Sequence, residues 1–176
     1  MLLRKINAVL SLISTFLLMA HAIFLAVWML SQGRIGITAS YIPWILMGVM
    51  AMHAFISIDL ALSAHMDTEK RKCKNYPQMN ISTIVQRISG ILMIFFTGLH
   101  IAGAKGVMKP PQPIHAVVPP VFFTIALAHT AISVSKALIT LGIGNAKFVK
   151  TADIVVKVIC GATLIADITG FYLYLY

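Results

Sequence analysis

The stretch Thr83-Ile-Val-Gln86-Arg87-Ile-Ser89-Gly90-Ile-Leu-Met-Ile-Phe-Phe-Thr97-Gly-Leu-His100-Ile-Ala-Gly-Ala104 carries a single charged residue. It is long enough to cross a hydrocarbon core of about 30 Å as one α-helix. Working outward, equivalent apolar runs occupy 7–30, 42–65, 117–141 and 152–175, so the chain reads as five membrane spans. Breakers separate them: Ser31-Gln-Gly-Arg-Ile-Gly36, the charged stretch Asp67 to Lys74 followed by Pro77, Lys109-Pro-Pro-Gln-Pro113, and Gly142-Ile-Gly-Asn145. The connections are short, which predicts that successive helices are antiparallel neighbours.

The composition agrees. Of 176 residues, 59% are hydrophobic and 11% charged, too apolar for a soluble domain and too short for more than one, so residues 1–176 form a single transmembrane domain. The excess of 14 Lys and Arg over 5 Asp and Glu lies in short segments between apolar runs, as membrane topology places it, rather than along a nucleic-acid-binding face. Arg4, Lys5, Lys70, Arg71, Lys72, Lys74, Lys147 and Lys150 fall on one side, and Arg34, Lys105 and Lys109 on the other. The positive-inside rule then predicts a cytoplasmic N-terminus and an outer C-terminus, with Phe171, Tyr172, Tyr174 and Tyr176 in an outer aromatic belt. The first run follows Arg4-Lys5 but exceeds a secretory h-region and lacks a small-residue cleavage site, so it is read as a span. Cys73 and Cys160 stand alone, and no CxxC motif supports a disulfide framework, a zinc site or covalent haem attachment.

The informative feature is four histidines inside four spans: His21, His53, His100 and His129. An ionisable side chain at membrane depth is costly and calls for a buried partner, either a neighbouring helix or a cofactor. Haem b takes two axial imidazoles on opposite faces, and two helices supply them without a covalent motif. At 1.5 Å per residue, His21 and His100 lie roughly 4 and 9 Å to the outer side of their span centres, and His53 and His129 within about 2 Å of theirs. Depth therefore pairs His21 with His100 and His53 with His129, a distinction of only a few residues. Two ligands per iron leave no open position, which suits electron transfer. His65 and His115 fall near water and are read as interfacial.

Other polar residues share these faces. Lys136 points about 20° from His129, two turns toward the cytoplasm, and two readings are open: a haem propionate partner, or a side chain snorkelling to the headgroups. Ser89 and Gln86 point within about 40° of His100, and either bond a propionate or quinone carbonyl or join helices. Arg87 and Asp59 sit at similar depth on successive helices, which predicts a buried ion pair. Asp167, on a face with Thr163 and Tyr174, is either a proton carrier for quinone chemistry or a structural hydrogen-bonding group.

Gln86-Arg87-Ile88-Ser89-Gly90, followed by His100, resembles the Gln-Arg-hydrophobic-Ser/Thr-Gly…His signature of the succinate dehydrogenase and fumarate reductase cytochrome b subunit, in its five-helix, single-chain, two-haem form. His53-Ala54, and His129 followed by Gly142-Ile143, extend the likeness, and five spans cover the whole chain. The resemblance implies two haem b groups in the cytoplasmic membrane, one held by His21 and His100 distal from the soluble subunits, the other by His53 and His129 proximal to them. It also implies an iron-sulfur subunit docked on the cytoplasmic face, an FAD flavoprotein subunit beyond it, and menaquinone or ubiquinone as electron partner. Gln86, Arg87, Ser89 and Lys136 are then candidate haem- or quinone-binding residues.

No nucleotide-binding glycine motif and no cysteine cluster is present, so succinate or fumarate chemistry belongs to partners. A haem-free anchor leaves the four histidines unexplained. A small ion or proton transporter is disfavoured by the absence of an inverted repeat or interrupted helices. A nitrate-reductase-like cytochrome would concentrate its ligands on two helices, whereas four contribute here.

Overall fold

The computed structural model describes residues 2–34, 41–70, 81–104 and 112–175, with side chains at 64–70, 104, 112–116 and 175 excepted. It is all-helical: α1 (Leu2–Leu30), α2 (Ile42–Lys70), α3 (Ile81–Ala104), α4 (Gln112–Leu141) and α5 (Ala146–Leu175). Each is long and apolar enough to cross a membrane. The helices run past the apolar segments, by one to two turns at the start of α1, α4 and α5 and at the end of α2, because the backbone ladder continues after hydrophobicity stops. His65, Asp67, Arg71, Lys72, Cys73, Lys74, Pro77, Lys105, Lys109, Pro113 and His115 lie outside the described side chains.

The ends of the helices follow from local sequence. At the end of α4, Gly142 takes φ 70°. Its N–H donates to the Ile139 carbonyl at 3.1 Å, and that of Ile143 to Leu138 at 3.0 Å, the paired bonds that close a helix through a left-handed residue. Two residues on, Asn145 Oδ1 accepts the Phe148 N–H at 2.9 Å and caps α5, so the reversal takes few residues. α1 closes the same way, with Gln32 and Gly33 at positive φ and the Gly33 N–H bonded to Trp28. Pro119 and Pro120 lie inside α4 and withdraw two donors from its ladder.

α1 and α4 form the centre. α1 packs against α2, α4 and α5, and α4 against α1, α3 and α5. α2 and α3 are not among the helix pairs that pack along one another in the described residues, which corrects the expectation that every successive pair is adjacent.

Met93, Phe122, Phe123 and Ala126 make the apolar core, with Leu18, Leu25, Phe96 and Phe171 packed on it. Outward residues such as Phe16, Phe55 and Ile91 are 73, 76 and 68% exposed, as lipid-facing surface requires. Small residues bring α1 and α5 together: a Cβ on Gly170 would stand 3.1 Å from Met29 Cβ. Buried polar side chains, Ser11, Ser89, Thr130, Ser133, Thr163 and Asp167, all face inward.

Candidate cofactor site

The four span histidines are half-buried and fall into two groups. His21 on α1 and His100 on α3 line one void of about 30 Å³. His53 on α2 lies within electrostatic reach of His129 on α4. Neither α1 with α3 nor α2 with α4 is among the helix pairs that pack along their lengths. Each histidine pair therefore links two helices that are not among the pairs packed along their lengths.

The α2/α4 pair is the more fully built. Ser89 Oγ lies 3.1 Å from the Gln86 carbonyl oxygen and 2.9 Å from His129 Nδ1. The Ser89 hydroxyl and His129 Nδ1 share one hydrogen bond, whose donor follows the ring tautomer. Gly90 makes room for the ring: a Cβ there would sit 3.2 Å from His129 Cε1. On α2, His53 Nδ1 is buried with no hydrogen-bond partner among the described residues. One turn from it, Ser57 exchanges bonds of 3.0 and 3.2 Å with Asn7 of α1, which secures the otherwise lightly packed α2.

From His129 a polar seam runs between α3 and α4. Ser133 donates to the His129 carbonyl at 2.7 Å and accepts from Gln86 Nε2 at 3.1 Å. Gln86 Oε1 accepts from Lys136 Nζ at 2.8 Å, and the Ser82 carbonyl and Thr83 Oγ1 lie 3.1 and 3.3 Å from the same ammonium. Lys136 thus spends all three protons on the start of α3. Of the two readings of Gln86, the geometry makes it a helix-joining group. Ser89 and Gln86, which share a helical face with His100, serve His129 instead.

Asp59 and Arg87 are both exposed and form no ion pair with each other, and their helices are not among the packed pairs. The ion pair among the described residues is Asp153–Lys157, one turn apart on α5. It borders a groove of about 650 Å³ beside the α4–α5 turn that none of the four histidines lines.

Around the α1/α3 pair the walls are Leu18, Leu25, Phe122, Phe123 and Leu127, with the His100 ring 5.3 Å from Phe122. Asp167 also lines this void; it is 1% exposed, and neither carboxylate oxygen has a hydrogen-bond partner. Sequence reasoning did not single out Ser133, Asn7, Ser57 or Phe122. Ser133 was accessible, since it stands four residues from His129 and three from Lys136 on one helical face, but the cross-helix pair Asn7–Ser57 carries no local signal.

The donor set suits bis-imidazole ligation: four imidazoles grouped two by two, one ring held by Ser89 and another with a ring nitrogen that has no partner among the described residues. A void of about 30 Å³ is far smaller than a haem. A macrocycle between His21 and His100 thus requires α1 and α3 to draw apart, which no direct packing of these two helices opposes. Comparison with protein-family models, curated proteins and solved structures finds no match, and the family resemblance rests on the residues quoted above.

Proposed function

We propose that the chain is a two-haem cytochrome b anchor of a succinate:quinone oxidoreductase, carrying electrons between an iron-sulfur subunit and membrane quinone. The observation that carries this reading is the arrangement of the histidines: one on each of four helices, grouped as His21 with His100 and His53 with His129 between helices that are not among the packed pairs.

His53 and His129 would hold one haem b, and His21 and His100 the other. Each group, where bound, would supply a one-electron iron couple. The residues provide the orientation. Ser89 fixes the His129 ring and directs Nε2 away from α3, Gly90 allows that ring its approach, and Gln86, Ser133 and Lys136 lock α3 against α4. Apolar walls of Leu18, Leu25 and Phe122 keep water from the α1/α3 pair. The basic residues Lys70 to Lys74, Lys147 and Lys150 support a cytoplasmic face of α2, α4 and α5 on which an iron-sulfur subunit docks, with the flavoprotein beyond it. On this reading the chain lies in the cytoplasmic membrane with its N-terminus inside.

The test is a pyridine haemochrome count and a dithionite-reduced minus oxidised spectrum on the chain purified with its complex. Two b-type haems per chain with a low-spin spectrum are expected. An intact complex without haem would refute the reading and leave a plain anchor.

A further inference from the structure

The groove of about 650 Å³ beside the α4–α5 turn changes character with depth. It runs from Gly142 and Ala146 at the turn down to Ile132 on α4 and Lys157 on α5, about 15 Å along the helices at 1.5 Å per residue. That is roughly one leaflet, half of a hydrocarbon core of about 30 Å. Its walls include Ile132, Ile139 and Val149, and Ile139 is 66% exposed. Two lysines of α5, Lys150 and Lys157, and one acid, Asp153, supply the charge. Asp153 is already held by Lys157 one turn away and faces the Ser135 hydroxyl of α4. Lys150 is exposed and forms no ion pair or hydrogen bond among the described residues. The groove therefore carries one uncompensated positive charge near its mouth and apolar walls below it.

We propose that this groove binds an anionic phospholipid, with the phosphate at Lys150 and an acyl chain along Ile139 and Ile132. A soluble anion would meet Lys150 but gains nothing from apolar walls that descend through a leaflet, whereas in a bilayer the medium against those walls is acyl chain. A soluble protein partner is limited in the same way, since only the mouth of the groove stands at the level of the turn. Lysines within a span extend their ammonium toward the headgroups over their own aliphatic stem. Lys157, seven residues deeper than Lys150, does so by reaching back to Asp153, which leaves the lower groove apolar. Basic pockets between spans on the side rich in Lys and Arg suit lipid phosphates, and the same end of the bundle carries Lys147 and the start of α1 with Arg4 and Lys5. None of the four histidines lines the groove, so the site stands whatever the histidines hold.

Native mass spectrometry of the full chain, purified with its complex into detergent containing equal amounts of phosphatidylglycerol and phosphatidylcholine with matched chains, counts the lipid retained. The wild type should hold one phosphatidylglycerol per chain in preference to phosphatidylcholine. Lys150→Gln should lower that preference about fivefold, the effect of one lysine near a headgroup. Lys147→Gln removes the same charge from the same end of α5 without lining the groove, and should leave the preference unchanged. Both lysines are exposed, so neither variant threatens assembly. Excess glycerol 3-phosphate, which carries the phosphate without the chains, should not displace the lipid. An equal loss in the two variants, or none in Lys150→Gln, would reduce the preference to general surface charge. Displacement by glycerol 3-phosphate would make this a free-phosphate site, and a wild-type complex that retains no phosphatidylglycerol would mean that another occupant fills the groove. Each of these results would overturn the proposal.

Discussion

The surroundings of His129 and those of His21 and His100 are built from opposite materials. Beside His129, Ser89, Gln86, Ser133 and Lys136 bond to one another and to the histidine without a break, and α3 and α4 are packed together along this seam. Around His21 and His100 the walls are aliphatic and aromatic, and the one acidic group, Asp167, bonds to nothing among the described residues. The first region is pre-organised: its ring orientation is set by neighbours whose own bonds are complete. The second is incomplete in polar terms among the described residues. Haem binding should therefore be more sensitive to single polar substitutions in the first region than in the second.

The sharpest way to break this contrast is to remove a ligand. His129→Ala should reduce haem from two to one per chain, with the remaining haem spectrally normal, as counted by pyridine haemochrome; loss of both haems from a folded complex would mean that the regions are not separate. Ser89→Ala should act on the same haem less completely. It removes the hydrogen bond at His129 Nδ1, at about 1–3 kcal/mol, and should weaken retention of that haem by about 10–100-fold, as followed by haem release to an apo-acceptor protein. Gly90→Ala sharpens the picture further. Its Cβ would stand 3.2 Å from the His129 ring, whereas at Gly98 on the same helix nothing lies within 4 Å. The low-spin electron paramagnetic resonance signal of one haem should shift in Gly90→Ala and stay put in Gly98→Ala. The smallest effect belongs to Asp59→Asn. Without an ion pair to Arg87, thermal unfolding in detergent should change by no more than about 0.5 kcal/mol.

The last of these predictions reverses what the sequence alone implied, and the reason is instructive. Spans and breakers were legible because a bilayer imposes a length and a polarity that short windows of sequence carry, and Gly142-Ile-Gly-Asn145 announced its turn through residues that tolerate positive φ or cap a helix. Which helices touch is not local information. Asp59 and Arg87 matched in depth, but the match mattered only if α2 packed on α3, and these helices are not among the packed pairs. Ser89 and Gln86 were legible as an inward polar stripe by their angles around α3. Angle relates residues of one helix to each other, so it suggested His100; the partner across the interface, His129, depends on the α3–α4 register. Asp167 was visible as an isolated acid in an apolar span, while its shared void with His21 and His100 required the packing of α5 beside α1.

The central claim is that the four histidines work as two facing pairs, and double substitutions test it most directly. If His53 and His129 share one iron, the variant His53→Ala/His129→Ala should retain one haem per chain, like either single variant. His21→Ala/His129→Ala, which removes one ligand from each pair, should retain none. Equal haem content in the two double variants, at one or at zero, would contradict the pairing.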